Sequence, residues 1–192
     1  MEYLIRKLEQ GMSNHAPSYG VNPKDGQSPD VLVVACCDSR VILQRVLSTD
    51  PGEVFVVRTV GNMVSKPGIG SAEEAAIEYG IRALGIPNIA VCGHTHCGAM
   101  QALFQKNVGA ELPAVHEWLS NAQVTLERVP EQLTGAEQML ATVQTNVLVQ
   151  LERVKNYPVV QEALEQKRLK LHGWIYDIES ATFQVYSTDQ KR

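Results

Sequence analysis

Long apolar runs are absent from this chain, and none approaches the roughly 20 consecutive apolar residues that a membrane-spanning helix needs. Near Met1, the charged Glu2, Arg6, Lys7 and Glu9 interrupt every apolar stretch, so no signal peptide is read there and a cytoplasmic protein is expected. Long blocks of like charge are also absent. The 17 basic and 21 acidic residues leave a net charge of -4 without a long block of either kind. That balance disfavours nucleic acid or an anionic membrane as partner and fits a small soluble substrate. Cysteine occurs only four times, three of those positions lying in or beside two short motifs, which suits metal binding in a reducing compartment better than disulfides. Repeats and low-complexity tracts are missing, so neither a solenoid nor a disordered linker enters the reading.

What is present is enough for a sizeable core, since 44% of the 192 residues are hydrophobic. A single domain over residues 1–192 is expected, with residues 1–29 as an amino-terminal helix and arm and residues 30–192 as the core. Residues 2–12 read as a short amphipathic helix with Leu4, Ile5 and Leu8 on one side, and residues 13–29 are rich in Pro, Gly, Asn and Ser. The unbroken β-branched runs Val31 to Ala35, Val54 to Val57 and Ile89 to Val91 suit strands buried on both faces, hence a parallel sheet. Ser71-Ala72-Glu73-Glu74 is a capping box opening a helix to about Leu84, stopped by Gly85 and Pro87. Further helices are read from about Ala99, from Pro113 to Glu127, from a second capping box at Thr134 to Glu137, and from Tyr157-Pro158. Alternation through Leu169, Leu171, Trp174, Tyr176, Phe183 and Val185 adds a two-stranded ending. The fold class is therefore α/β: a three-layer domain whose central, mostly parallel β-sheet is flanked by helices.

In such sheets, ligands bind beyond the carboxyl ends of the strands, and two motifs sit there: Cys36-x-Asp38-x-Arg40 and His94-x-x-Cys97. Past a strand, residues two apart share a side, so Cys36, Asp38 and Arg40 face one crevice while Cys37 points away. A spacing of three brings His94 and Cys97 to one face, leaving His96 off it, and Gly93 and Gly98 let the backbone pass close. Two thiolates and one imidazole suit Zn2+ and leave a fourth position open, as in catalytic rather than structural sites. Arg40 would hold Asp38 away from the metal, keeping its carboxylate as a hydrogen-bond acceptor beside it. Cys92 is read as core, and His15, His116 and His172 as packing residues without chemistry.

With these residues in hand, the chain closely resembles the β-class carbonic anhydrases, in their plant-like branch. The likeness extends to Asp50-Pro51-Gly52-Glu53, Phe55-Val56-Val57-Arg58, Ala75-Ala76-Ile77-Glu78-Tyr79, Tyr157-Pro158 and Gly173-Trp174-Ile175-Tyr176-Asp177. The resemblance implies reversible hydration of carbon dioxide by zinc-bound hydroxide, with Cys36, His94 and Cys97 as zinc ligands and Asp38 and Arg40 as catalytic dyad. It implies that Gln27, Phe55, Val60 and Tyr79 line the substrate pocket, that the Gly98 amide helps bind developing negative charge, and that the protein is a homodimer or a higher assembly of dimers with the pocket completed across the interface. Two positions depart from the family pattern: Thr59 where asparagine is common and Gly61 where alanine is frequent. Val33 stands where the bicarbonate-regulated branch has tryptophan, so no such regulatory site is expected. Two other functions share these residues: hydrolysis of carbon disulfide or carbonyl sulfide, and a non-catalytic zinc-stabilised binding or sensing module.

Overall fold

A computed structural model describes residues 3–7, 10 and 26–187. Residues 3–7 and 10 are helical, consistent with the amino-terminal helix; most of the arm, with His15, lies outside the described residues. Five strands form one sheet: β1 (Val31–Cys36), β2 (Val54–Thr59), β3 (Asn88–His94), β4 (Lys170–Asp177) and β5 (Thr182–Ser187). Their order is β2-β1-β3-β4-β5, with the first four parallel and β5 antiparallel to β4.

The β-branched runs of β1 and β3 occupy the sheet centre with both faces covered, whereas the run expected to be buried on both faces at Val54 to Val57 forms the edge strand β2, where Val54, Phe55 and Val56 stay half-buried. Leu32, Val33, Val34 and Ala35 are all 0% exposed, and burying each larger apolar side chain contributes about 1.5–3 kcal/mol. Alternation splits them: Leu32 and Val34 join one core cluster, Val33 and Ala35 the other. The first cluster lies under α2 (Ala72–Arg82), α7 (Gly135–Lys155) and α8 (Pro158–Glu165), through Ile77, Val143, Val147, Val154 and Val160. The second is covered by α1 (Leu43–Leu47) and its approach, through Val41 and Leu43. Short helices α3 (Gly98–Ala102), α4 (Val108–Glu111), α5 (Pro113–Leu119) and α6 (Gln123–Arg128) run between β3 and α7.

Local chemistry sets the helix ends, with some departures from expectation. Ser71 caps α2 by accepting from Glu74 N at 3.2 Å, but the Glu74 carboxylate takes the amides of Gly68 at 2.6 Å and Gly70 at 2.9 Å. The box thus organises the preceding loop as well as the helix. Thr134 starts α7 from extended backbone without a side-chain capping bond, so the second capping box does not form. The helix expected from Pro113 to Glu127 is broken at residues 120–122, where the backbone tightens into a 3₁₀ turn. His116 is exposed on α5 rather than core, and His172 is half-buried with Nε2 3.1 Å from Asn88 Oδ1.

Gly93 illustrates how packing constrains the end of β3. A Cβ there would lie 2.7 Å from Val147 Cγ2 and 3.1 Å from Val143 Cγ1, so the strand touches α7 backbone-first. Replacing it by alanine would push α7 off the sheet one residue before His94. Gly93→Ala should lower stability by about 1–3 kcal/mol, read as an earlier urea midpoint at unchanged slope.

Candidate metal centre

Cys36 ends β1, His94 ends β3 and Cys97 precedes α3. Because β1 and β3 are adjacent and parallel, with Ala35 beside Cys92, their carboxyl ends arrive together. The ligand atoms of Cys36, His94 and Cys97 all lie within 4.8 Å of one another, and all three residues are buried. The two sulfurs are 4.0 Å apart. Two Zn–S bonds of about 2.3 Å at a tetrahedral angle place sulfurs about 3.8 Å apart, whereas a disulfide requires about 2.05 Å. The observed spacing fits a shared cation.

His94 supplies the sharper test. It is 0% exposed, and its Nδ1 sits 2.8 Å from the Thr95 carbonyl, which can only accept, so the ring hydrogen is on Nδ1. Nε2 is then a bare lone pair. It is buried and finds no hydrogen-bond partner of good geometry, with Asp38 Oδ2 3.9 Å away. An unsatisfied buried acceptor facing two thiols is costly without a cation and satisfied with one. These donors therefore fit zinc.

The two sulfurs are prepared unequally, one toward the thiolate and one toward the thiol. The Cys36 thiol is held well below its ordinary range, chiefly by the hydrogen bond from Cys97, then by the His94 ring beside it, and further by the backbone amides of Asp38 and Gly61. The same pairing, together with burial, pushes Cys97 upward, while the amides of Ala99 and Met100 pull the other way. Two thiols this close share a proton, and a metal takes that proton's place. Cys92, deep in the core, has its thiol pushed up to about 12 by burial, and Cys37 is exposed, as the alternation required.

Asp38 is gripped by Arg40 through three hydrogen bonds: Nε to Oδ1 at 2.9 Å, Nη2 to Oδ2 at 2.7 Å and the backbone amide to Oδ1 at 3.0 Å. The guanidinium lowers the carboxyl to about 2. The fold favours the ionised form, so this pair supports stability above the unfolded carboxyl's usual value and loses that contribution as pH falls toward about 2. Arg40 is half exposed, so its role is orientation more than stability. Its Nη2 also donates to the His96 carbonyl at 3.1 Å, tying the dyad to the loop between the ligands.

Gly98 is exposed at the start of α3, beside Cys97, with nothing within 4 Å of a would-be Cβ; the close passage expected of it falls at Gly93 instead. Phe55 and Tyr79 meet each other, their ring centroids 6.3 Å apart, rather than the triad. Val60 is 38% and Tyr79 50% exposed, and Gln27 lies exposed in the segment ahead of β1. A cavity of about 560 Å³ lies elsewhere, on the α7 side, walled by Met139, Leu140, Val143 and Ile175, and shares with the triad only the Thr95-His96 loop.

Three supporting groups escaped the sequence reading. Arg58 donates to the Cys36 carbonyl at 2.8 Å and the Val41 carbonyl at 2.7 Å, fixing the turn that carries the first cysteine. Its signal was a charge inside an otherwise apolar strand. Thr95 accepts from Ile178 N at 3.0 Å and donates to Asp177 at 3.3 Å, pinning the second ligand loop to the end of β4. His96, off the ligand face, pairs with Glu179 at 2.8 Å.

Residues 31–183 match the family described as Carbonic anhydrase. A carbonic anhydrase of Synechococcus elongatus is 40% identical over 190 residues, covering 92% of this chain and 69% of that protein. One from Pseudomonas aeruginosa is 40% identical over 171 residues, covering 86% and 77%. Among solved structures, the β-carbonic anhydrase CcaA matches with a TM-score of 0.87 at 34% identity, covering 95% of both chains. Tetrameric β-carbonic anhydrases of Sordaria macrospora match at 0.80 and 27% identity, covering 96% of this chain and 94% of the other. With the family matched over most of its length and relatives at 40% identity, the chain belongs to the carbonic anhydrases, in their β class.

Proposed function

We propose that the chain hydrates carbon dioxide reversibly to bicarbonate and a proton at zinc held by Cys36, His94 and Cys97, with Asp38 and Arg40 as the catalytic dyad. The observation that carries this reading is the bare, buried Nε2 of His94 facing two sulfurs, with the one nearby carboxylate tethered away by a guanidinium. Bound zinc supplies the Lewis acidity that makes water a nucleophile near neutral pH, an effect for which carbonic anhydrase is itself the standard illustration.

The protein's own groups do the rest. Asp38, kept ionised by Arg40, accepts a hydrogen bond from the nucleophile and so turns a lone pair toward the substrate carbon. The amide of Gly98, an exposed residue at the start of α3, would meet negative charge on the substrate oxygen. Phe55, Val60 and Tyr79 supply a small apolar surface for a linear, apolar substrate, and Gln27 a hydrogen bond to its oxygen. Their exposure in the single chain supports a homodimer, or an assembly of dimers, in which the pocket closes between copies.

Stopped-flow hydration of carbon dioxide by zinc-loaded protein, between about pH 7 and pH 9, should show turnover well above buffer; a rate equal to buffer overturns the proposal. Arg40→Ala frees Asp38 to take the open metal position. It should cost about 100-fold or more in turnover with zinc still stoichiometric by elemental analysis. Cys36→Ser should lose the metal, whereas Cys37→Ser should keep both metal and activity.

A further inference from the structure

Thr59 ends β2 level with Cys36 in the β1–β2 register, and its carbonyl accepts from the Cys37 amide at 3.0 Å. The chain then reverses through two left-handed residues, Gly61 at φ +70° and Asn62 at φ +48°. Residues 61–65 are buried, whereas Val60 stays 38% exposed. The reversal thus turns one apolar side chain outward, one residue past the position beside Cys36.

Two hydrogen bonds decide where that side chain stands. From within, the Thr59 hydroxyl donates to the Met63 carbonyl at 2.7 Å, spanning the turn. Threonine is β-branched, which restricts its first side-chain torsion and keeps the hydroxyl aimed. From without, Trp118 Nε1 on α5 donates to the Val60 carbonyl at 2.8 Å. The indole is itself anchored: Asn121 Nδ2 donates to the Trp118 carbonyl at 3.1 Å, and Asn121 Oδ1 accepts at 2.7 Å from Arg153 Nη1, which also reaches the Val64 carbonyl at 3.0 Å. The inner side of the turn is closed as well. The Gly61 carbonyl accepts from Asn146 Nδ2 at 3.0 Å, and a Cβ on Gly61 would lie 2.9 Å from Ala99 Cβ on α3. Val60 therefore cannot shift without breaking a hydrogen bond or pressing the turn into α3.

We infer that Thr59 is a positioning residue for the substrate: its hydroxyl closes the turn that sets Val60 beside the metal site, with Trp118 holding the same turn from outside. The inference rests on the carbonic anhydrase reading, in which Val60 faces carbon dioxide. That molecule has no net dipole and no hydrogen to donate, so apolar contact does much to place it, and such contact weakens within a fraction of an ångström. The threonine that stands where asparagine is common thus serves the pocket and not the metal. A contact made equally in the ground and transition states shows in KM and not in kcat.

Steady-state hydration by zinc-loaded protein separates this role from a merely structural one. Thr59→Val keeps the branched shape and removes the hydroxyl; it should raise KM for carbon dioxide about 3–10-fold, with kcat and zinc content unchanged. Thr59→Ser, which retains the hydroxyl, should keep KM near that of the unaltered protein. On a Val60→Ala background, whose own KM is raised, Thr59→Val should add no further rise. Where Thr59→Val does not fold, Trp118→Phe removes the other bond to the turn and should give the same readings. An unchanged KM in the folded variant, an equal rise in Thr59→Ser, or a rise undiminished on the Val60→Ala background overturns the inference, as does a loss confined to kcat. Absence of turnover in the unaltered protein would instead overturn the carbonic anhydrase reading beneath it.

Discussion

Two sulfurs 4.0 Å apart and a histidine nitrogen without a hydrogen-bond partner, all buried, form a donor set that a shared cation satisfies. The rest of the architecture answers to that constraint. β1 and β3 must run parallel and adjacent so that Cys36 and His94 end at the same level, and the chain must then turn at once for Cys97 to return to them. The turn is steep: His96 adopts φ +56°, a left-handed conformation that a side chain enters only under restraint. Restraint comes from Thr95 fastened to Asp177 and Ile178, from the His96 side chain on Glu179, and from Arg40 on the His96 carbonyl.

A carboxylate this close to a vacant metal position is a competitor as much as a helper. Asp38 has 15% side-chain exposure and Oδ2 only 3.9 Å from the histidine nitrogen, so small rotations would bring it onto the metal. A bidentate guanidinium is suited to prevent this, because its planar fork satisfies both carboxylate oxygens at once. A lysine in its place would supply charge without fixing direction. The Asp38–Arg40 pair is thus held by geometry, and its exposure to solvent matters little to that hold.

Much of this was legible in the chain itself. β1 and β3 announced themselves because both faces of a central parallel strand are buried, which forces unbroken apolar runs, and motifs placed just beyond such runs fall at the binding edge of the sheet; β2 carries a similar run at the sheet edge, where it is only half-buried. Ser71 was legible because capping is local. What escaped depends on partners distant in sequence. Thr134-Gly135-Ala136-Glu137 satisfies the capping pattern, yet the Thr134 side chain makes no capping bond. His116 reads like a packing residue but stands exposed on α5, its ring lying over Gly109 of α4 and not in the core. Arg58, alone among apolar neighbours, looks misplaced until the carbonyls of Cys36 and Val41 are seen at its guanidinium. Gln27, Phe55, Val60 and Tyr79 came from resemblance and not from pattern, and no local rule would have singled out side chains that one chain alone leaves partly open.

The polar stripe of α7 shows why such features are opaque to sequence yet integral to the site. Asn146, Gln150 and Arg153, with Tyr157 beyond the helix end, follow spacings of four, three and four, so they share one face, and on hydropathy alone that face reads as a defect. Each instead meets backbone of the turn at residues 61–65: the Gly61 carbonyl, the Val64 amide, the Val64 carbonyl at 3.0 Å and the Ser65 carbonyl at 2.9 Å. A turn with two consecutive left-handed residues, Gly61 and Asn62, cannot satisfy these groups within itself or a sheet. Apolar side chains on α7 would pack as well and leave those peptide groups buried and unpaired, at about 1–3 kcal/mol each. The helix therefore carries amides where the hydrophobic pattern calls for leucine, because the turn it holds has backbone groups that nothing else pairs.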